Sequence, residues 1–186
     1  MNRLFIPSSV PSQNWMSFDK ELLEKILNFP PLYTLQPNQT SRRKQLGFWR
    51  DILIYRNVFI FSVHAEFFKN PAISRSLDPK AVCELCNFLI SENLGEWTTI
   101  NEKFLFYRSP LVVWGDKLVY WINESGRANT VETLYSLGHE WHPQDDSITL
   151  PIELVYRICK HLEKQNKCEV LGTEAAFELV GVKFFQ

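Results

Sequence analysis

The chain has 186 residues, 45% of them hydrophobic and 14% aromatic, enough to bury a core and too apolar for a disordered polypeptide. A formal charge of −1 and a pI near 6.4 give the chain as a whole no pull towards nucleic acid or anionic membranes. Four cysteines are too few for a disulfide scaffold, no run approaches the ~20 apolar residues of a membrane span, and Pro7 breaks the first apolar run, so a reducing cytoplasmic setting without a secretory leader is expected.

Residues 1–17, rich in Ser, Asn and Gln with two spaced prolines, read as a flexible lead. Phe18, Leu22, Leu23, Ile26 and Leu27 then mark a short amphipathic helix that stops before a proline pair. The next segment, "NFPPLYTLQPN", holds Pro30, Pro31 and Pro37, which fix φ and remove backbone donors, so an extended arm is predicted. Phe29, Leu32, Tyr33 and Leu35 are too apolar for water and call for pockets.

From Arg42 the spacing of Leu46, Trp49 and Leu53, with Phe48, Ile52 and Tyr55 beside them, predicts a helix with a wide apolar stripe. "NVFIFSV" reads as a strand. Asp78 and Pro79 look like the N-cap and first residue of a helix whose buried stripe is Val82, Leu85, Cys86 and Leu89. "EWTTINEKFLFYR" reads as two strands around an Asn-Glu turn, with Phe104 and Phe106 alternating against Leu105 and Tyr107.

The order then recurs. Trp114, Leu118, Trp121 and Ile122 share a helical face that stops at Gly126, and "NTVETLYSL" reads as a mixed strand or short helix. After a polar loop "GHEWHPQDDS", Thr149 is the expected cap of a helix with Pro151 in its first turn and Val155, Ile158, Cys159 and Leu162 buried. "KCEVLG" and "FELVGVKFF" close the chain as a hairpin. "ENLGEW" and "QNKCEV" repeat Asn-x-x-Glu where the last helix of each unit meets its strand, which favours duplication. The predicted fold is α+β and helix-rich: an N-terminal extension and arm over 1–39, then two tandem winged-helix domains over 40–110 and 111–186.

No catalytic arrangement emerges. Cys83 and Cys86 form C-x-x-C inside a helical pattern, without the four ligands of a structural zinc site, so core packing accounts for Cys86. His139 and His142 are three apart with Gly138 and Pro143 near them, whereas a zinc-protease helix needs histidines four apart, so they read as surface loop residues. Neither a metal nor a cofactor nor a small-molecule substrate is expected. Winged helices often read DNA with their third helix. Here that helix carries Lys80 against Glu84 and Glu92 in the first unit, and Arg157, Lys160, Lys164 and Lys167 against Glu153 and Glu163 in the second. Residues 111–186 hold seven basic and eleven acidic groups, so nucleic-acid binding is a subordinate reading. Six Trp, six Tyr and fourteen Phe fit an assembly subunit better, since aromatic residues are enriched at interface centres.

"FPPLYTLQPN", "RRKQLGFWRDIL", "WGDKLVYWINESGRANTVETLYSL" and the closing "GVKFF" resemble the small subunit of the endosomal sorting complex ESCRT-II, the vacuolar protein sorting-associated protein 25 family, over about residues 28–185. The resemblance implies two winged helices, no catalysis and a Pro-Pro-x-aromatic motif that docks into a hydrophobic pocket of a larger ESCRT-II subunit. The matching residues are Pro30, Pro31 and Tyr33, with Phe29 and Leu32 beside them. It further implies two copies of this chain with one of each larger subunit, and an ESCRT-III subunit of charged multivesicular body protein 6 type bound by the second winged helix. Membrane contact would be peripheral, through the complex on the endosome. Some members carry two such motifs and this chain shows one; residues 1–27 have no recognised counterpart in the resemblance. "PPLY" also fits the Pro-Pro-x-Tyr ligand of WW domains, an alternative use of the same residues.

Overall fold

The computed structural model describes residues 20–142 and 149–185. The expected lead of residues 1–17, Phe18 and residues 143–148 of the polar loop lie outside the described residues.

Helix α1 (Lys20–Leu27) precedes a 3-10 turn (Pro30–Tyr33) and α2 (Gln39–Tyr55). Asn38 caps α2, its side chain accepting from Ser41 N, and the apolar stripe of α2 closes around Trp49, Ile52 and Leu53, all fully buried. Strand β1 (Ile60–Ser62) leads through 3-10 turns and a small ribbon, β2 (Lys69–Asn70) with β3 (Arg75–Ser76), to α3 (Pro79–Ser91). Asp78 accepts from Ala81 N at 2.8 Å and Pro79 opens the helix, as the sequence indicates. Strands β4 (Gly95–Thr99) and β5 (Lys103–Phe106) complete an antiparallel sheet ordered β1-β5-β4.

The second unit repeats the plan. Helix α4 (Leu111–Glu124) ends before Gly126, which takes the left-handed φ of 69° that stops it. Strand β6 (Val131–Thr133), α5 (Leu134–Glu140), α6 (Ile152–Glu163), β7 (Cys168–Leu171) and β8 (Gly181–Phe184) follow, with the sheet ordered β6-β8-β7. In both sheets the early strand pairs with the last one. Asn93 and Asn166 of the repeated Asn-x-x-Glu occupy matching left-handed positions, φ 58° and 57°. The next amide reaches back in the same way at each, Leu94 N to Leu89 O at 2.8 Å and Lys167 N to Leu162 O at 3.1 Å.

Three local expectations need correction. Gly138, His139 and Glu140 are the end of α5, not loop, and Trp141 behind them is 2% exposed, edge-on to Trp114 at 6.1 Å. The N-cap of α6 is Pro151, not Thr149, and no side chain caps it. Third, α1 and the proline segment do not stand apart from the first unit, because Leu23, Leu32 and Tyr33 belong to its core with Trp49, Phe68 and Phe104.

Strand β5 joins the two units. Phe104 and Phe106 enter the first core, whereas Leu105 and Tyr107, on the opposite face, enter the second with Phe59, Trp114 and Leu118. Trp114 Nε1 donates to Tyr107 O at 2.6 Å. Arg157 of α6 pairs with Glu96 of β4, and the buried Arg108 guanidinium lies 4.8 Å over the Phe59 ring while donating to Ile54 O. Strand β5 is thus covered on both faces, the condition under which a strand is apolar throughout instead of alternating.

Candidate functional site: the proline turn and its groove

The prolines do not hold their segment fully extended: Pro30–Tyr33 is a single turn of 3-10 helix. A φ near −65° suits the first positions of a helical turn as well as polyproline II, and the missing amide costs nothing there. Phe29 and Thr34 on either side remain extended, so the turn is a knuckle in an otherwise extended segment.

The knuckle divides the predicted docking residues. Leu32 and Tyr33 turn inward and are 3% and 5% exposed. The Tyr33 ring meets Trp49 edge-on at 5.6 Å and its hydroxyl donates to Leu27 O at 2.9 Å. Burial pushes the phenol pKa up, against smaller opposing effects of Asn70 and Arg56. Phe29, Pro30 and Pro31 face outward, Phe29 being 58% exposed. A ligand that reads the tyrosine hydroxyl, as a WW groove does, would first have to extract it from the core.

Two residues of α2, one turn apart, fix the knuckle. Trp49 Nε1 donates to Leu32 O at 3.0 Å. Gln45 Nε2 donates to Leu32 O at 2.8 Å and to Thr34 O at 2.9 Å, while Gln45 Oε1 accepts from Gln36 N at 3.1 Å. Gln45 is buried, and its amide satisfies the chain carbonyls that the prolines leave without a sheet partner. Sequence reasoning missed Gln45, although its place four residues before Trp49 puts it on the same helical face.

Beside the outward face lies a groove of about 610 Å³ between α1 and α2. Ile26, Phe29, Pro31 and Phe48 give it an apolar lining, and Lys25 and Lys44 stand at its edge. Phe48 was legible only as a residue beside the stripe of α2; the groove needs α1 folded against it, which no local pattern specifies.

The other candidates are placed differently. Cys86 is fully buried, and burial raises its thiol pKa and pushes that of Cys168 up to about 12, so both are packing residues whose thiols stay protonated. His139 is exposed on the last turn of α5, stacked on Tyr135 at 4.0 Å. Of the cations on and after α6, Arg157 is paired with Glu96, Lys160 with Glu163, and Lys167 with Asp116 at 3.5 Å, so the helix that would enter a DNA groove has most of its charge neutralised. No helix among the described residues is long and apolar enough to cross a membrane.

The class this fold defines is a tandem winged-helix protein with an N-terminal proline turn packed on its first domain. Within that class the ESCRT-II complex subunit family matches residues 26–150. Vacuolar protein-sorting-associated protein 25 of Xenopus laevis is 30% identical over 175 residues, covering 85% of this chain and 95% of the relative. The crystal structure of subunit VPS25 of ESCRT-II superimposes with a TM-score of 0.71 at 26% identity, over 86% of this chain and 96% of that one. A chain of the ESCRT-II crystal structure (VPS22/VPS25/VPS36) gives 0.67 at 24%, covering 86% and 97%, a match of fold. The chain belongs to the ESCRT-II complex subunit family, as a VPS25-type subunit of an endosomal trafficking complex. That family is structural, and the chain is not an enzyme.

Proposed function

We propose that this chain is the docking and recruiting adaptor of its complex. Phe29–Tyr33 binds the larger ESCRT-II subunits, of VPS22 and VPS36 type, in two copies, and the second winged helix, residues 111–186, recruits an ESCRT-III nucleating subunit of charged multivesicular body protein 6 type during multivesicular-body sorting of ubiquitinated cargo. The chain works in the cytoplasm and reaches the endosomal membrane through the complex. The observation that carries the docking reading is the two-sided knuckle: Tyr33 and Leu32 anchor it in the first core, which holds Phe29, Pro30 and Pro31 outward as a rigid apolar ridge. A ridge ordered before binding loses less conformational entropy on docking than a free arm. Recruitment by the second unit is supported by the apolar side chains it leaves exposed, among them Tyr120, Tyr135 and Leu179.

The test is co-purification of the full chain with both larger subunits, comparing wild type with Phe29→Ser/Pro31→Ser. Loss of the double variant from the complex, with an unchanged thermal midpoint, is the expected result. Undiminished incorporation would refute the ridge as the docking element. A nucleator that binds the assembled complex equally well after Tyr120→Ser, Tyr135→Ser and Leu179→Ser in combination would remove these side chains from the recruiting surface.

A further inference from the structure

The groove between α1 and α2 is not itself one of the docking residues read from the motif, yet it shares Phe29 and Pro31 with the ridge. We propose that it receives, during docking, a short segment of a larger ESCRT-II subunit that presents a bulky apolar side chain next to a carboxylate. This inference rests on the docking reading and makes that contact reciprocal: the ridge enters the partner and the partner enters the groove.

The occupant follows from the chemistry of the lining. Ile26, Phe29, Pro31 and Phe48 offer apolar surface, and Phe48 is 37% exposed whereas its neighbours Trp49, Ile52 and Leu53 on the same helix are fully buried. A volume of about 610 Å³ accommodates several side chains, which calls for a segment and not a single residue. Both charged groups at the edge are cations. Among the described residues Lys25 pairs with Glu21 alone, in a solvent-exposed pair at 2.7 Å whose two side chains are 70% and 79% exposed. Lys44 is exposed and has no ion pair among the described residues. A bound carboxylate would satisfy Lys44 and could take Lys25 from its weak surface pair. A second copy of this chain fits less well. Its own ridge carries no acid, since residues 28–38 contain none.

Photocrosslinking in the assembled complex tests this directly. With Phe48→p-benzoylphenylalanine in the full chain co-expressed with both larger subunits, irradiation should link position 48 to a larger-subunit peptide containing Asp or Glu within a few residues of the linked apolar side chain. In parallel, Phe48→Ala and Lys44→Glu should each weaken binding about tenfold, the size expected of a partly buried anchor and of a reversed edge charge. Lys44→Gln should fall between wild type and Lys44→Glu, and the wild-type affinity should drop with salt. Crosslinks to a second copy, to this chain's own residues 1–19, or to nothing within a complex that has formed would overturn the proposal. So would wild-type affinity in both Phe48→Ala and Lys44→Glu. If those variants bind normally while Phe29→Ser/Pro31→Ser does not, the groove is unoccupied and the ridge still docks. If no variant affects assembly, both readings fall.

Discussion

Gln45 is a polar residue in a helical stripe otherwise made of Leu46, Trp49, Ile52 and Leu53, and its burial makes sense only once the proline turn is laid across it. A buried amide with all its partners contributes modestly, but removing it leaves Gln36 N without its acceptor and opens a hole beside Trp49, while Leu32 O and Thr34 O keep Trp49 Nε1 and Gln36 Nε2. Gln45→Ala should therefore lower stability by about 2 kcal/mol in urea denaturation, and Tyr33→Phe, which loses one hydrogen bond to Leu27 O, by about 1 kcal/mol. An unchanged denaturation midpoint in Gln45→Ala would mean that the turn is held by apolar packing alone. At this scale the sequence reveals residues whose role is local. Asp78 as a cap and Cys86 as packing follow from spacing within one helix. The inward direction of Tyr33 does not, because it depends on Trp49, sixteen residues away, and on a turn type that Pro-Pro leaves open between polyproline II and 3-10 helix.

The helix-to-strand junctions show what the elements themselves demand. Asn93 and Asn166 both stand at φ near +58°, a conformation that Asn adopts readily and β-branched residues resist. Asn93→Val and Asn166→Val should each cost about 1–2 kcal/mol, while the two glycine variants stay close to wild type in thermal melts. Opposite signs at the two sites would dissolve the structural equivalence of the junctions. At the second junction Glu163 accepts from Val170 N at 2.8 Å and pairs with Lys160, and these contacts, the Lys160 hydrogen bond first, hold its carboxyl pKa below the usual value. A depressed folded-state pKa supplies stability that is present above the unfolded-state value of about 4.3 and is lost as the pH falls through the folded one. The melting temperature of wild type should thus exceed that of Glu163→Gln at pH 7, and the gap should close below about pH 4. Most elements could be read in the sequence because their periodicity is local. Residues 64–77 could not: where the second unit has α5, the first has only 3-10 turns and a two-residue ribbon, with Pro71 interrupting any helical period.

Across the whole molecule, the division into two units is written in the repeated order of elements, but their union is written in a single strand. The unbroken run Phe104–Tyr107 signals a strand buried on both faces, and the structure gives one face to each core. Leu105 is fully buried in the second core although it belongs to the first sheet, so Leu105→Ala should cost about 2–4 kcal/mol and shift one common unfolding transition. Two separated transitions in calorimetry would contradict that coupling. For the same reason residues 1–110 alone would expose Phe59, Leu105 and Tyr107 to water, and recruitment by the second unit is better probed by surface substitutions than by truncation. If the ridge docks as proposed, two winged helices joined through β5 would present the far domain in a fixed direction, and two such copies would bring two nucleators together, where effective concentration outweighs any single contact. The central claim is that assembly, and it is tested most directly by the light-scattering mass of the full chain co-purified with the two larger subunits. The account predicts a mass fitting two copies of this chain with one of each larger subunit, reduced by both copies in Phe29→Ser/Pro31→Ser. A wild-type mass without this chain, or one that the double variant leaves unchanged, would contradict it.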